Sequence, residues 1–129
     1  SIVKAAKDQI LKNVGVAYID LNGLKAINDN YGHSNGDKFI CTAADTFKMV
    51  FPDNSYRIGG DEFVIIEQNI ERDKYEERIT ALKNIMQDKQ VSISIGVLWR
   101  EYVDDLEELL KAADKLMYME KEMYHNNRE

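Results

Sequence analysis

An internal disulfide is excluded at once, because the chain holds a single cysteine, Cys41, and one thiol has no partner to bridge. With only His33 and His125 beside it, a Cys/His zinc site has too few ligands. These scarcities fit a reducing, cytoplasmic setting. Proline occurs once, at Pro52, and no linker, repeat or low-complexity tract divides the chain. No apolar run approaches the ~18 residues of a membrane span. The opening SIVKAAKDQILKNV also lacks the signal-peptide pattern. The domain is therefore expected to make no direct membrane contact, whereas a longer parent protein could be anchored. Positive charge is in deficit: 17 Lys and Arg face 23 Asp and Glu, a net charge of −6. Broad binding of nucleic acid needs a basic face that displaces counterions, so nucleic acid is not an expected partner. A polyanion would have to be handled locally, with the help of a cation.

What is present describes one globular domain over residues 1–129, with 44% apolar and 31% charged residues and enough chain for a real core. Ile2, Val3, Ala6, Ile10 and Leu11 recur at helical spacing and predict a short amphipathic helix ending before Gly15. GVAYID, 15–20, reads as a buried strand that delivers Asp20 to a sheet edge or loop. A brief helix over 24–30 and a loop, YGHSNGD, come next. From Asp37, a helix carrying Ile40, Ala43, Ala44, Phe47, Val50 and Phe51 runs to Pro52. A hairpin spans 55–67, and a helix opening at Asp73 carries Tyr75, Ile79, Leu82 and Met86. VSISIGVLW, 91–99, alternates as a half-buried strand. A last helix begins near Asp104 or Asp105 and carries Leu106, Leu109, Leu110, Ala113, Leu116 and Met117. This order predicts an α+β fold with a mostly antiparallel sheet flanked by helices, in the split βαβ or ferredoxin-like arrangement. In that topology Asp20 and Asp61, 41 positions apart in sequence, can meet at one end of the sheet.

The stretch RIGGDEFVII, 57–66, supports two readings. Gly59-Gly60 between strand formers is an ordinary turn signal, because glycine tolerates positive φ. Asp61 and Glu62 would then be solubility charges, unless a second acid converges on them. Spacing disposes of several other chemistries. Neither a P-loop nor a dinucleotide fingerprint occurs. DLNGLKAINDNY, 20–31, fails as a calcium loop, with Gly23 fourth instead of sixth and Tyr31 in place of the closing Glu. Ser94 lies in a strand without a nucleophile-elbow context, and neither histidine has a triad partner.

Four blocks carry a resemblance: DLNGLKAINDNYGHSNGD at 20–37, RIGGDEF at 57–63, SISIGV at 92–97 and ADKLMYMEK at 113–121. In that order they resemble the GGDEF family of diguanylate cyclases. The resemblance implies a palm-like domain that joins two GTP into cyclic di-GMP and releases pyrophosphate. Each subunit of an antiparallel homodimer would hold one GTP. It implies Mg²⁺ or Mn²⁺ held by Asp20, Asp61 and the Leu21 carbonyl, which are hard oxygen ligands. Asp61 is also the family's proton acceptor; at the ordinary Asp pKa of ~3.9 it is a poor base at neutral pH, so metal activation carries more of the work. Glu62 is implied either as a further metal ligand or as a support for the hairpin. Amides of Asn22, Gly23 and Leu24, in the turn opening a helix, would cradle the terminal phosphates. Lys25 and Lys121 match the phosphate-contacting lysines, and Lys25 would stabilise charge on the reacting phosphorus. By residue type alone both lysines are solvated surface groups. Asn28 and Asp37 match the guanine-reading pair; without the family they read as a helix-end Asn and a helix-cap Asp. Gly59 and Gly60 would leave room for substrate, while Tyr31 and His33 read as loop packing.

Departures from the family pattern matter equally. The Arg expected four positions after Lys121 is His125, with Arg128 three residues further on. The R-x-x-D of the family's inhibitory product site has Val50 in place of its Arg and keeps Asp53. Valine cannot replace a guanidinium fork, so strong feedback inhibition through that site is not expected. The D-x-L-T-G-L-x-N-R opening is missing, which suggests a domain trimmed from a longer protein with a fused sensor or phosphodiesterase domain. Two alternatives to the enzyme stay open: a non-catalytic GTP-binding module that regulates an attached domain, and a scaffold that binds no nucleotide.

Overall fold

A computed structural model describes residues 9–128, with side chains as far as Asn126. The elements run β1 (Leu11–Leu21), α1 (Leu24–Tyr31), α2 (His33–Val50), β2 (Ser55–Gly59), β3 (Glu62–Glu67), α3 (Arg72–Asp88), β4 (Ile93–Val103) and α4 (Leu106–Arg128). The strands form one four-stranded sheet in the order β2-β3-β1-β4, and every neighbouring pair is antiparallel. This is the expected α+β, split βαβ arrangement.

Strand alternation divides the core between the two faces of the sheet. Ala17, Ile19 and Leu21 of β1 join Phe63, Ile65 and Ile95 on the face covered by α2 and α3, which contribute Ala43, Phe47, Tyr75, Ile79, Leu82 and Met86. Phe47 and Phe63 pack with ring centroids 4.9 Å apart. The opposite face presents Val14, Val16, Val64 and Ile66 to Leu106, Leu109 and Ala113 of α4. Central β1 is thus buried on both faces, so its last residues are held rigidly where the sheet ends.

Several sequence expectations shift. Leu11–Val14 belong to β1 and not to a preceding helix, whose other residues, up to Asp8, lie outside the described part. Asn13 has φ 52° and turns the pleat, so that Leu11 and Val14, three positions apart, enter the same core cluster. That spacing imitates a helical period. YGHSNGD is mostly helix: Gly32 alone separates α1 from α2, and its φ of 88° is one that glycine adopts readily. Asp37 consequently lies inside α2 and does not cap it. β4 extends to Val103, and its supposedly open face is covered, with Ser94 and Gly96 buried. A methyl group on Gly96 would strike the Ala113 carbonyl and lie 2.6 Å from the Met117 amide nitrogen. Glycine is what lets α4 lie this close to the sheet.

Candidate functional site

The site forms where β1 runs out between two neighbours. Register sets Asp20 opposite Glu62 on β3 and opposite Ser94 on β4. At the next residue the Leu21 N–H donates to the Asp61 carbonyl at 2.9 Å, tying the β2–β3 turn to the end of β1. The Asp61 carboxyl comes within hydrogen-bonding reach of Asp20. The two acids expected to converge therefore do so. Arg57 fixes the turn from its other side, donating to the Gly60 carbonyl from Nε at 3.0 Å and Nη2 at 2.7 Å.

Asp20 is nearly buried, and its Oδ1 has no hydrogen-bond partner in the protein. Burial pushes its carboxyl above the ordinary value; the Lys121 ammonium opposes this and Asp61 reinforces it. Lys121 reaches in from α4, its Nζ lying 3.0 Å from Asp20 Oδ2 and donating to the Leu21 carbonyl at 3.3 Å. Glu62 stands apart from this group: its Oε2 accepts a 3.3 Å hydrogen bond from the Tyr18 hydroxyl. Burial and the Glu62 charge push the Tyr18 phenol up to about 12. Among the described residues, no three of His, Cys, Asp and Glu gather closely enough to hold a metal together. Asp20 and Asp61 pair without Glu62.

The β1–α1 turn is tightly built. Gly23 has φ 82°, in the left-handed region, and caps α1 without any side-chain hydrogen bond. Asn22 is buried as a lock between strands: its Nδ2 donates to Ser92 Oγ and its Oδ1 accepts from Ser94 Oγ, both at 3.0 Å. Its backbone N–H already donates to the Ser92 carbonyl at 2.9 Å. Of the amides expected to cradle phosphates, that of Asn22 is engaged in the sheet, which leaves those of Gly23 and Leu24 from that set. Lys25 is exposed in the first turn of α1.

Asn28 lies across α2 at Gly36, where an added Cβ would strike Asn28 Oδ1. That oxygen is buried and has no hydrogen-bond partner in the protein. Asp37, next to Gly36, is exposed. Gly59 and Gly60 are exposed as well, and a Cβ on either would meet nothing within 4 Å. Neither has positive φ, so the turn does not require glycine for its backbone conformation as the sequence suggested. The open space remains. His125 is exposed and packs edge-on against Tyr124, with ring centroids 5.6 Å apart. The Arg128 side chain lies outside the described residues.

Tyr18, Arg57, Ser92 and Ser94 were not singled out from sequence as parts of the site. Alternation marked Ser92 and Ser94 as outward-facing polar residues, and only the pairing of β1 with β4 sets them beside Asn22. The one sequence cue for Arg57 is its place two residues before Gly59.

A split βαβ sheet that closes two carboxylates over the end of its central strand, beside an uncapped helix start, is a cyclase-palm type of domain. The family model for the diguanylate cyclase GGDEF domain matches residues 2–127, and the chain belongs to that family. It is 38% identical over 124 residues to signaling protein YkoW of Bacillus subtilis, covering 85% of this chain and 15% of that protein. It is also 34% identical over 116 residues to diguanylate cyclase DgcS of Shewanella oneidensis, covering 84% of this chain and 39% of the relative. Among solved structures it resembles the GGDEF domain of TpbB (YfiN) from Pseudomonas aeruginosa, with TM-score 0.75 and 26% identity over 87% of this chain and 73% of that one. The active GGEEF domain of a Vibrio cholerae diguanylate cyclase has the same fold, with TM-score 0.72 and 24% identity over 84% and 76% of the two chains. The chain spans well under half the length of these curated relatives.

Proposed function

We propose that this domain is a diguanylate cyclase, condensing two GTP into cyclic di-GMP at the interface of an antiparallel homodimer. The observation that carries the reading is the meeting of Asp20 and Asp61 at the end of β1, with the Lys121 ammonium on Asp20. In each half-reaction the 3′-oxygen of one GTP bonds to the α-phosphorus of the other. The bond to the bridging oxygen breaks, and pyrophosphate leaves. Two such steps close the ring. Asp61 takes the proton from the hydroxyl, and the ribose must therefore lie over the hairpin, where Gly59 and Gly60 leave open space. The Gly23 and Leu24 amides and Lys25 meet the phosphates, while Asn28 and Asp37 address the guanine edge.

A divalent ion, Mg²⁺ or Mn²⁺, fits the donor set. The Asp20 Oδ1 without a partner, the nearby Asp61 carboxyl and the Leu21 carbonyl are hard oxygens, and Lys121 already places a cation on the Leu21 carbonyl and on the other Asp20 oxygen. When bound, the ion neutralises triphosphate charge and makes the attacking hydroxyl more acidic. Glu62 would join as a ligand through Oε1, since its Oε2 accepts from the Tyr18 hydroxyl. We further propose that the domain works within a longer protein beside a sensor or phosphodiesterase domain, on the cytoplasmic side. No helix among the described residues is long and apolar enough to cross a membrane.

Incubating concentrated protein with GTP and Mg²⁺ tests the reading: cyclic di-GMP forms and is lost in Asp61→Asn. A second reading, a GTP-binding module without turnover, is favoured by His125 in the place of the family's Arg. Nucleotide binding without product in the same experiment would select it.

A further inference from the structure

The family resemblance assigns the Lys121 ammonium to the phosphates, yet here it sits on Asp20 Oδ2 at 3.0 Å and on the Leu21 carbonyl at 3.3 Å. The Leu21 carbonyl is one of the oxygens assigned to the divalent ion, and Oδ2 belongs to the same carboxylate as the assigned Oδ1. A divalent ion on Oδ1 and the Leu21 carbonyl would lie against the ammonium, and repulsion between the two cations makes their binding competitive. The pair is largely shielded, with side-chain exposures of 20% for Lys121 and 13% for Asp20, so the contact is more than a solvated surface ion pair.

We infer that Lys121 is a tethered cation that holds the metal site of the nucleotide-free protein, withdrawing from Asp20 to the triphosphate when metal and nucleotide bind together. The nucleotide's identity rests on the cyclase reading; the competition between ammonium and metal does not.

The surrounding structure makes the side chain, and not its helix, the moving part. Gly96 lets α4 press against β4 at Ala113 and Met117, and Glu120 Oε1 accepts the Ile95 N–H at 3.2 Å, one residue before Lys121. A flexible four-carbon stem then carries the ammonium from one acceptor to another. The ammonium satisfies the site only in part, since Asp20 Oδ1 keeps no partner. A divalent ion offers that oxygen a stronger partner, and a triphosphate offers the displaced ammonium a more highly charged one. Metal and triphosphate therefore assist each other's binding, and the coupling is reciprocal. The metal site is discouraged from filling before substrate arrives.

Mn²⁺ titration of nucleotide-free protein, followed by the paramagnetic resonance of free Mn²⁺, tests this directly. Lys121→Met and Lys121→Gln are each expected to bind Mn²⁺ about tenfold more tightly than wild type, the weight of a partly buried ion pair that no longer has to be broken. Adding Asp20→Asn to either is expected to abolish the gain. Equal, weaker or undetectable Mn²⁺ binding by both single variants overturns the proposal, as does a gain that survives Asp20→Asn. Thermal melts report whether the variants fold. If they do not, amine labelling of Lys121 in wild type decides: labelling should rise severalfold at Mn²⁺ concentrations where bound ion is detected, and unchanged labelling refutes the idea. Failure of wild type to convert GTP to cyclic di-GMP would instead sink the proposed function and leave the Mn²⁺ result standing.

Discussion

Leu21 donates its backbone N–H to the carbonyl of Asp61 at 2.9 Å, across 40 positions of sequence. This one bond fastens the turn between β2 and β3 to the end of the central strand. It brings the Asp61 carboxyl up to Asp20, whose own carboxylate is already buried beneath α4. Two acids so placed repel when both are ionised, and a bound cation or a proton on one of them relieves the repulsion.

Replacing Asp20 by Asn should reveal that tension. The folded-state pKa of Asp20 is raised above its unfolded value, so the folded protein holds this proton to higher pH than the unfolded chain does. Stability from this group is full below the unfolded pKa and falls as pH rises through the folded one. Metal-free Asp20→Asn should therefore lose less stability than wild type between acidic and neutral pH, while losing GTP turnover. Thermal melts in a chelator at several pH values check this, and an unchanged pH dependence contradicts it.

Gly59 and Gly60 separate substrate space from folding. Neither needs positive φ and neither has a neighbour within 4 Å of a Cβ, so Gly59→Ala and Gly60→Ala should each change stability by no more than about 0.5 kcal/mol. If the hairpin lies under the nucleotide, the same methyl groups should weaken GTP binding by about tenfold or more, on the order of 1.4 kcal/mol. Calorimetry with a non-hydrolysable GTP analogue, beside melting curves, reads both quantities. Full nucleotide affinity in both variants would remove these glycines from the site.

Gly36 has the opposite character. A methyl group there strikes the Asn28 amide and crowds Leu24 at 3.3 Å. Gly36→Ala should displace Asn28 and cost about 1–3 kcal/mol of stability through overpacking. Its effect on guanine recognition should match that of Asn28→Ala and appear as a narrowed preference for GTP over ATP. An unaltered GTP/ATP ratio in both variants would show that Asn28 does not read the base.

Tyr75 tests the scaffold. Its ring is buried against Gly15, and its hydroxyl donates to the Val16 carbonyl beneath the sheet. Tyr75→Phe removes that buried hydrogen bond, costing about 0.5–1.5 kcal/mol in denaturant melts. Burial raises the Tyr75 pKa, so its contribution is complete below the unfolded value of about 10 and lost as pH climbs above it. The Phe variant should therefore show a shallower decline in stability above pH 10. An equally steep decline would place the alkaline sensitivity elsewhere, with the Tyr18 phenol as the next group to replace.

Much of this architecture is legible in side-chain periodicity. Tyr75, Ile79, Leu82 and Met86 recur at helical spacing and are all buried on α3. The hairpin at 55–67 follows from strand formers around two glycines. Periodicity failed at Leu11–Val14, where one left-handed Asn13 gave strand residues a helix-like spacing, and at His33–Gly36, where turn-forming residues continue a helix. Both errors have one cause: a single backbone dihedral, invisible in residue types, changes which neighbours share a face.

The sequence by itself determined most of the elements, their order and the chemical inventory of the site, because hydrophobic spacing and residue type are local properties. It also carried the family resemblance, since the four blocks stand in the family's order. Tertiary structure alone decided the company each group keeps. Antiparallel register set Asp20 against Glu62 and Ser94, and the Leu21 bond drew in Asp61. Packing of α4 over Gly96 delivered the Lys121 ammonium to Asp20 from 101 residues away. Charge interactions depend on distance and burial, and for residues so far apart in the chain only the folded sheet supplies either.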